Sequence, residues 1–436
     1  MTQFGWIFST FAIVIICFTF LFKRYGRFWL ISIPATFMFI YTIFNVLGAN
    51  YLCSHYQYHE LKYIIAINLG VIIHTIGFVL TDHIFKFNFE TEMKDFINKP
   101  MKNEKDQIFK FIFSFVIIVI VIVTVIYFKM LDSIPIVELL NSSSKVLELA
   151  KTREMATTTF TGKYHRYSFF FKILLPYLSL VAMAATYKNR DKFWKISFIF
   201  LFIFTCFMLI VDIQKAPLLF YLISIIYLLY VLNKKVDVKK LIFVGIGFII
   251  ILIIMYLFIL GLAGRGMGVV FTKISMRLFI AQTKGIYTAF KVFPSHHDFL
   301  YGLSFPNPGG LFPYEPFDLI KYIFKEMYGY GRFIVGTAPT PYFVEFYVNF
   351  GYFAMIVSML IGSFIIQLTQ IIFLRSHKTI INLGLYAFLL VSMGKLSIIS
   401  SLFSFGIKFL MLILFVGIYK VTIVTARRIN FKSSNE

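Results

Sequence analysis

Between Lys110 and Lys129 lie residues 111–128, a stretch without one charged side chain and of about the length that a bilayer requires of a helix. Runs of this kind recur from end to end, and each restricts the fold in the same way. Hydrocarbon offers no water to backbone N–H and C=O groups, so a lone segment must satisfy them itself by coiling into a helix. The abundant Ile and Val residues would favour strands in water, but lipid overrides that propensity. The sequence predicts about eleven membrane helices, over residues 4–22, 28–47, 61–84, 108–128, 168–187, 193–211, 216–232, 241–262, 343–373, 379–394 and 402–424. With 59% hydrophobic and only 14% charged residues, an ordinary water-soluble domain is excluded. The expectation is an all-α polytopic membrane protein, with residues 1–436 forming a single integral membrane domain.

The formal net charge of +22 would suggest nucleic acid in a soluble chain. Here the cations collect in short connections: Lys23, Arg24 and Arg27, then residues 86–105, 188–195 and 234–240, then Arg375 with Lys378, and Arg427 with Arg428. Every second connection is basic, whereas residues 48–60 hold no Lys or Arg and 211–216 hold only Lys215. The alternation predicts an external N-terminus, a cytoplasmic C-terminus and two longer external segments, 129–167 and 263–337, the second between the eighth and ninth helices. Membrane lipids are expected partners and nucleic acid is not. The N-terminal segment lacks a basic leader region and reads as a retained first span. Cys17 and Cys206 lie inside apolar runs and Cys53 stands alone in a short loop, so neither a disulfide framework nor a Cys-based metal site follows.

Residues 263–337 interrupt the apolar pattern longest and hold the residues best suited to chemistry. If residues 269–292 are one helix, Lys273, Arg277, Lys284 and Lys291 share a sector of roughly 40°, with Phe271, Ile274, Phe279, Ile286 and Phe290 around the rest. Two readings stand: cations reaching to anionic headgroups, or a face that holds a diphosphate, with Arg277 as the bidentate ligand. Arg265, set among Gly261, Gly264, Gly266 and Gly268, adds a guanidinium in flexible backbone.

Prolines and glycines then punctuate an irregular stretch before a short helix near residues 317–327. His296, His297, Glu315 and Asp318 are candidate acids or bases there, with turn capping as the alternative for the two carboxylates. The adjacent histidines follow no standard metal-ligand spacing. Tyr301, Tyr314, Tyr328 and Tyr330 offer rings for stacking on sugars or for anchoring at the interface. In PTPYFVEFYVNFG, Pro339 and Pro341 mark a constrained entry, after which Tyr342, Glu345 and Asn349 share one helical face. Glu345 enters the membrane region, either as a carboxylate tuned for proton removal or as an anchor to a neighbouring cation. Asp212 and Lys215, just outside the sixth span, and Lys395, beyond the tenth, are further partners that the fold could bring to the same cavity.

The stretch Gly302-Leu303-Ser304-Phe305-Pro306, the proline-rich residues after it, and Thr340-Pro341 through Glu345-Phe346-Tyr347-Val348-Asn349-Phe350-Gly351 resemble the Wzy-type oligosaccharide repeat-unit polymerases, also called O-antigen polymerases. The likeness in residues covers mainly 265–351; the rest agrees through its many spans. The Arg-x10-Gly arrangement described for some members is absent. The resemblance implies a GT-C-like architecture and a glycosyltransferase of the bacterial inner membrane, with its active site facing the periplasm. Its donor and acceptor would be oligosaccharides on undecaprenyl diphosphate, with no nucleotide sugar or other cofactor, and a chain-length regulator is a further implied partner. On this reading Arg265, Lys273, Arg277, Lys284 and Arg332 hold the diphosphate. Glu345 leads Asp318 and His296 as catalytic base, and Tyr314, Tyr330, Tyr342 and Asn349 contact sugar. An O-antigen ligase, or a flippase for the lipid-linked oligosaccharide, is the alternative.

Overall fold

A computed structural model describes residues 3–56, 61–101, 107–141, 164–233, 266–329, 338–398 and 409–417, with shorter pieces at 152, 154–157, 160, 250 and 406. The described residues contain helices and no strand. Eight helices are long and apolar enough to cross a bilayer: Ile7–Tyr25, Ile33–Ser54, Leu61–Ile84, Gln107–Lys129, Arg166–Asn189, Lys192–Ile210, Tyr342–Arg375 and Ile380–Ser397. A shorter apolar helix, Ala216–Leu232, falls on the predicted seventh span. The predicted spans 241–262 and 402–424 lie largely outside the described residues. The chain is thus an all-helical polytopic membrane protein, divided into two compact units.

The first unit comprises Met1–Phe96, Leu262–Arg375 and Leu390–Phe405. Its centre is the helix Leu61–Ile84, packed against Ile33–Ser54 and Tyr342–Arg375. Small residues set these crossings, because apolar side chains gain little by leaving lipid and close packing must drive association. A Cβ at Gly77 would stand 2.5 Å from the Ser363 Cβ, and one at Gly70 would overlap the Tyr41 hydroxyl, which donates to the Ile67 carbonyl at 3.0 Å. The Gln370 side-chain oxygen accepts the Ile33 N–H at 2.9 Å, and Ser32 caps the same helix start by accepting from Ala35.

The predicted span 343–373 is not one straight rod. Gly351, at φ 78° and ψ −164°, interrupts the helix in a region open almost only to glycine. Residues 342 and 362 would be roughly 30 Å apart along a continuous helix. Instead the Tyr342 hydroxyl occupies the place that a Cβ on Gly362 would take. The chain therefore doubles back at Gly351, and residues 342–350 form a half-helix lying alongside the first turns of 352–375. Tyr352 donates to the Lys62 carbonyl at 2.9 Å, and Arg375 binds Glu92 and the Phe85 carbonyl. Helices 61–84 and 352–375 thus run in the same direction. At the far end of the half-helix, Tyr342 lies level with His74, halfway along Leu61–Ile84. Residues 342–350 are re-entrant: they rise from mid-depth to the surface before the full span descends.

The second unit comprises Ile97–Gly261, Ser376–Leu389 and Gly406–Glu436. Its core is a helical hairpin, Arg166–Asn189 and Lys192–Ile210, closed by a tight turn. Arg190 takes a left-handed conformation and donates to the Thr186 carbonyl, while Asp191 caps the next helix at the Phe193 N–H. Asp191 also pairs with Lys110, and Trp194 packs against Phe109 and Phe113 at 5.0 and 4.9 Å. Gly384 lets the helix Ile380–Gly394 pass closely over the Val181 backbone.

The reversal depends on one backbone conformation, which gives a direct test. Gly351→Ala should lower the thermal stability of the detergent-purified protein, at a cost of about 1–3 kcal/mol. An unchanged melting temperature would contradict the doubled-back geometry.

Candidate functional site

The re-entrant half-helix is held from above by the loop after residue 292. Doubling back leaves the carbonyls of Val348 and Asn349 without helical partners, and these accept the N–H groups of Leu300 and Tyr301 at 3.0 and 3.1 Å. The fully buried Asn349 side chain completes the clasp. Its oxygen accepts from Gly302 N–H at 2.7 Å, and its amide donates to Ser304 Oγ at 2.6 Å and to the Glu345 carbonyl at 2.7 Å. Tyr347 donates to the Phe293 carbonyl at 3.0 Å and stacks near Phe290, with ring centres 4.1 Å apart. Below, Gly285 admits the Pro339 carbonyl to 2.7 Å from where a Cβ would stand, so Ala338 and Pro339 pass against the helix Ala281–Val292.

Glu345 lies one turn inside this half-helix and is buried, only 5% exposed. Tyr342 is fully enclosed, with its hydroxyl 3.4 Å from His74 Nε2. Ser363 donates to the Met359 carbonyl and so receives the His74 Nδ1 proton at 2.7 Å, an assignment made by the hydrogen-bond network. Tyr342 and Asn349 therefore act here within the packing of the half-helix.

The other candidate acids and bases are occupied elsewhere. Asp318 caps the helix Leu319–Tyr328 at the Lys321 N–H, 3.2 Å away, and pairs with Lys321 Nζ at 2.8 Å. Capping, the alternative reading of this residue, describes its contacts. His296 is exposed, with Nδ1 3.3 Å from the Lys291 carbonyl. His297 sits among the rings of Phe293, Phe317 and Tyr322. Burial, with the Glu326 carboxylate beside it, raises the Tyr322 phenol above its ordinary pKa. Tyr314 donates to the Phe305 carbonyl at 3.2 Å and stacks on Phe312.

The cations are not arranged as one stripe. Residues 269–292 form Met267–Ser275, a π-turn over Met276–Ile280, and Ala281–Val292. A π-turn inserts one residue into the helical register, so the residues beyond it are rotated by roughly 100° against the α-helical expectation. Lys273 and Arg277 consequently form one exposed pair, and neither has an acidic partner among the described residues. Lys284, beyond the turn, is half-buried with its ammonium 4.9 Å from the Tyr328 ring centre. Arg265, Tyr330 and Arg332 lie outside the described residues.

Two polar clusters lie apart from these residues, one around Asp82, which the sequence reading missed, and one around Asp212, which it named. Asp82, at the end of Leu61–Ile84, accepts from Tyr25 at 2.5 Å, from Gln367, and from Arg24 at 3.5 Å, beside a cavity of about 160 Å³ lined also by Phe87, Asn88 and Phe89. In the second unit, Asp212 receives Lys172 at 3.0 Å and the Tyr164 hydroxyl. An ionisable residue inside a predicted span was the signal for Asp82, His74 and Lys172. Among the described residues, no three His, Cys, Asp or Glu side chains converge as a metal site. No family model matches the chain, and neither a curated protein nor a solved structure matches it.

Removing the Asn349 clasp should loosen the loop without unfolding the bundle. In Asn349→Ala, amide exchange over residues 300–304 should accelerate roughly tenfold or more, since an unmade buried hydrogen bond costs about 1–3 kcal/mol. Exchange in Leu61–Ile84 should stay as slow as in the parent.

Proposed function

We propose that this protein joins oligosaccharide repeat units carried on undecaprenyl diphosphate, at the periplasmic face of a bacterial inner membrane. The observation that carries the reading is a buried carboxylate, Glu345, on a re-entrant half-helix, in the same compact unit as two exposed cations, Lys273 and Arg277, that have no acidic partner among the described residues. A sugar transfer from a lipid diphosphate needs those two kinds of group, one to take a proton and one to hold a leaving anion. The many-spanned helical architecture is compatible with the resemblance, and a GT-C-like fold is part of the proposal.

In the proposed reaction, a hydroxyl of the incoming lipid-linked unit attacks the anomeric carbon of the growing chain. The new C–O bond forms as the bond from that carbon to the diphosphate oxygen breaks. The proton passes to the Glu345 carboxylate, and undecaprenyl diphosphate departs with the electron pair. Lys273 and Arg277, with Arg265, neutralise the leaving diphosphate, and the guanidinium supplies paired donors that match two phosphate oxygens. Glu345 takes precedence over Asp318, already engaged with Lys321, and over the exposed His296.

A second reading has an observation of its own. Half-helices that end at mid-depth occur in transporters, where irregular backbone lines a substrate path. On that reading the protein translocates the lipid-linked unit and forms no bond. Purified protein given its lipid-linked repeat separates the two: any glycan dimer supports transfer, and movement of the intact unit across proteoliposomes without dimer supports transport.

Within the transfer reading, Glu345→Gln should lower turnover by about 10²–10⁴-fold. Normal turnover in a well-folded variant would remove Glu345 as the base. Replacing Lys273 and Arg277 together by Ala should cost at least roughly tenfold, as charge-assisted contacts are worth about 1.5–3 kcal/mol each. Near-normal activity would remove them from diphosphate binding.

A further inference from the structure

A loop that faces water buries its large apolar residues or does without them. Residues 301–312 leave several of theirs exposed. Tyr301 is 74% exposed, Leu311 76%, Phe312 50% and Leu303 42%. These side chains are presented by a fixed frame. Tyr301 and Gly302 both take positive φ, and the N–H groups of residues 300–302 are bound to the end of the half-helix. Asn307 gathers the tip: its oxygen accepts from Phe312 N–H at 3.0 Å, and its amide donates to the carbonyls of Phe312 and Tyr314 at 2.8 Å each. Rigid display of an apolar tip signals an environment that accepts it.

The tip continues the exposed apolar side of a helix long and apolar enough to cross a bilayer. On the helix 352–375, Phe353, Ile361, Phe364 and Ile372 are exposed at helical spacing along one side, and Phe353 is 81% exposed. Phe350, just across the reversal, is exposed too, and it meets the loop. Its ring is 6.1 Å from that of Phe305, and its Cζ lies 3.7 Å from where a Cβ on Gly302 would stand. Tyr301 and Leu303 flank that contact. Polar residues bracket the apolar stretch in sequence: His296 and Asp298 precede it, and Glu315 and Asp318 come after, all four exposed. An amphipathic tyrosine, apolar residues and a charged rim, all attached at the surface end of a membrane helix, form the arrangement of an interfacial anchor.

We propose that residues 300–312 insert into the bilayer interface on the side where the helix 352–375 begins, with Leu311 and Phe312 among the upper acyl chains and Tyr301 at headgroup level. The loop then is a second, non-spanning membrane attachment, and it fixes the height of the clasp above the half-helix. This inference stands apart from the proposed chemistry, because it needs only the loop geometry and the lipid-facing helix.

Full-length protein carrying Phe312→Trp, reconstituted in nanodiscs of phosphatidylglycerol and phosphatidylethanolamine, provides the test, with the parent spectrum subtracted to remove the native tryptophans. Lipids brominated high on the acyl chain should remove about half of the added emission, as expected for an aromatic ring in the interface. The same lipids should leave Glu315→Trp, on the polar rim, nearly unaffected, and aqueous acrylamide should show the reverse order. Leu311→Trp repeats the measurement at a second, more exposed position. Bromolipid quenching at 311 and 312 no greater than at 315 overturns the proposal. So does shielding of both positions from lipid and acrylamide alike, which would mean that protein, from a second copy or a partner, covers the tip.

Discussion

The carbonyls of Val348 and Asn349, opened where the chain doubles back at Gly351, accept two loop N–H groups at 3.0 and 3.1 Å, and this exchange holds the first unit in its form. In lipid an open carbonyl has no solvent to turn to, so a helix breaks only where protein supplies the missing donors. Leu300, Tyr301 and Gly302 supply donors here, and Asn349 binds the loop and the half-helix at once. Break and loop are therefore mutually dependent. Neither makes sense as an isolated element, and together they hold Glu345 buried in the first unit.

Charge inside the spans obeys the same rule at higher cost. A lone carboxylate in hydrocarbon is expensive, and Asp82 and Asp212 have each been given donors. Asp82 is shared by Tyr25 and Arg24 of the first helix and Gln367 of Tyr342–Arg375, so it fastens two helices to its own. Near the same end, Arg375 grips Glu92 of the short helix Phe89–Asn98 through several contacts. Lys172 and Asp212 play the matching part in the second unit, with Tyr164 and Gln214 completing the donors and acceptors. These groups bear on architecture first, and they are separate from the residues to which sugar transfer is assigned.

Much of the bundle was legible because lipid imposes a single, strong periodicity-free signal: length without charge. Gln107–Lys129 and Lys192–Ile210 coincide with their predicted spans to within a few residues. What the signal does not carry is how a helix departs from regularity. Gly351 looks like any small residue in an apolar run, and its left-handed role arises only from the loop that meets it. The π-turn at Met276–Ile280 has no compositional mark, yet it separates Lys273 and Arg277 from Lys284 and undoes the stripe that α-helical spacing drew. Asp318 illustrates the reverse: an Asp directly before a helix is legible as a cap, and the cap is there. Tyr342 and Asn349 were legible as sharing a face with Glu345, but not as buried, because burial of a polar group depends on partners, His74 and Ser304, that lie hundreds or tens of residues away.

The notches at Gly70, Gly77 and Gly362 have a mechanical consequence. At each, a neighbouring side chain occupies the space that a methyl group would fill: the Tyr41 hydroxyl, Ser363 and the Tyr342 hydroxyl respectively. Pegs seated in sockets on both flanks prevent one helix from sliding along another by a turn, since every peg would strike the next residue's side chain. The helices of this unit are therefore locked in register, a fixed stator beneath the loop.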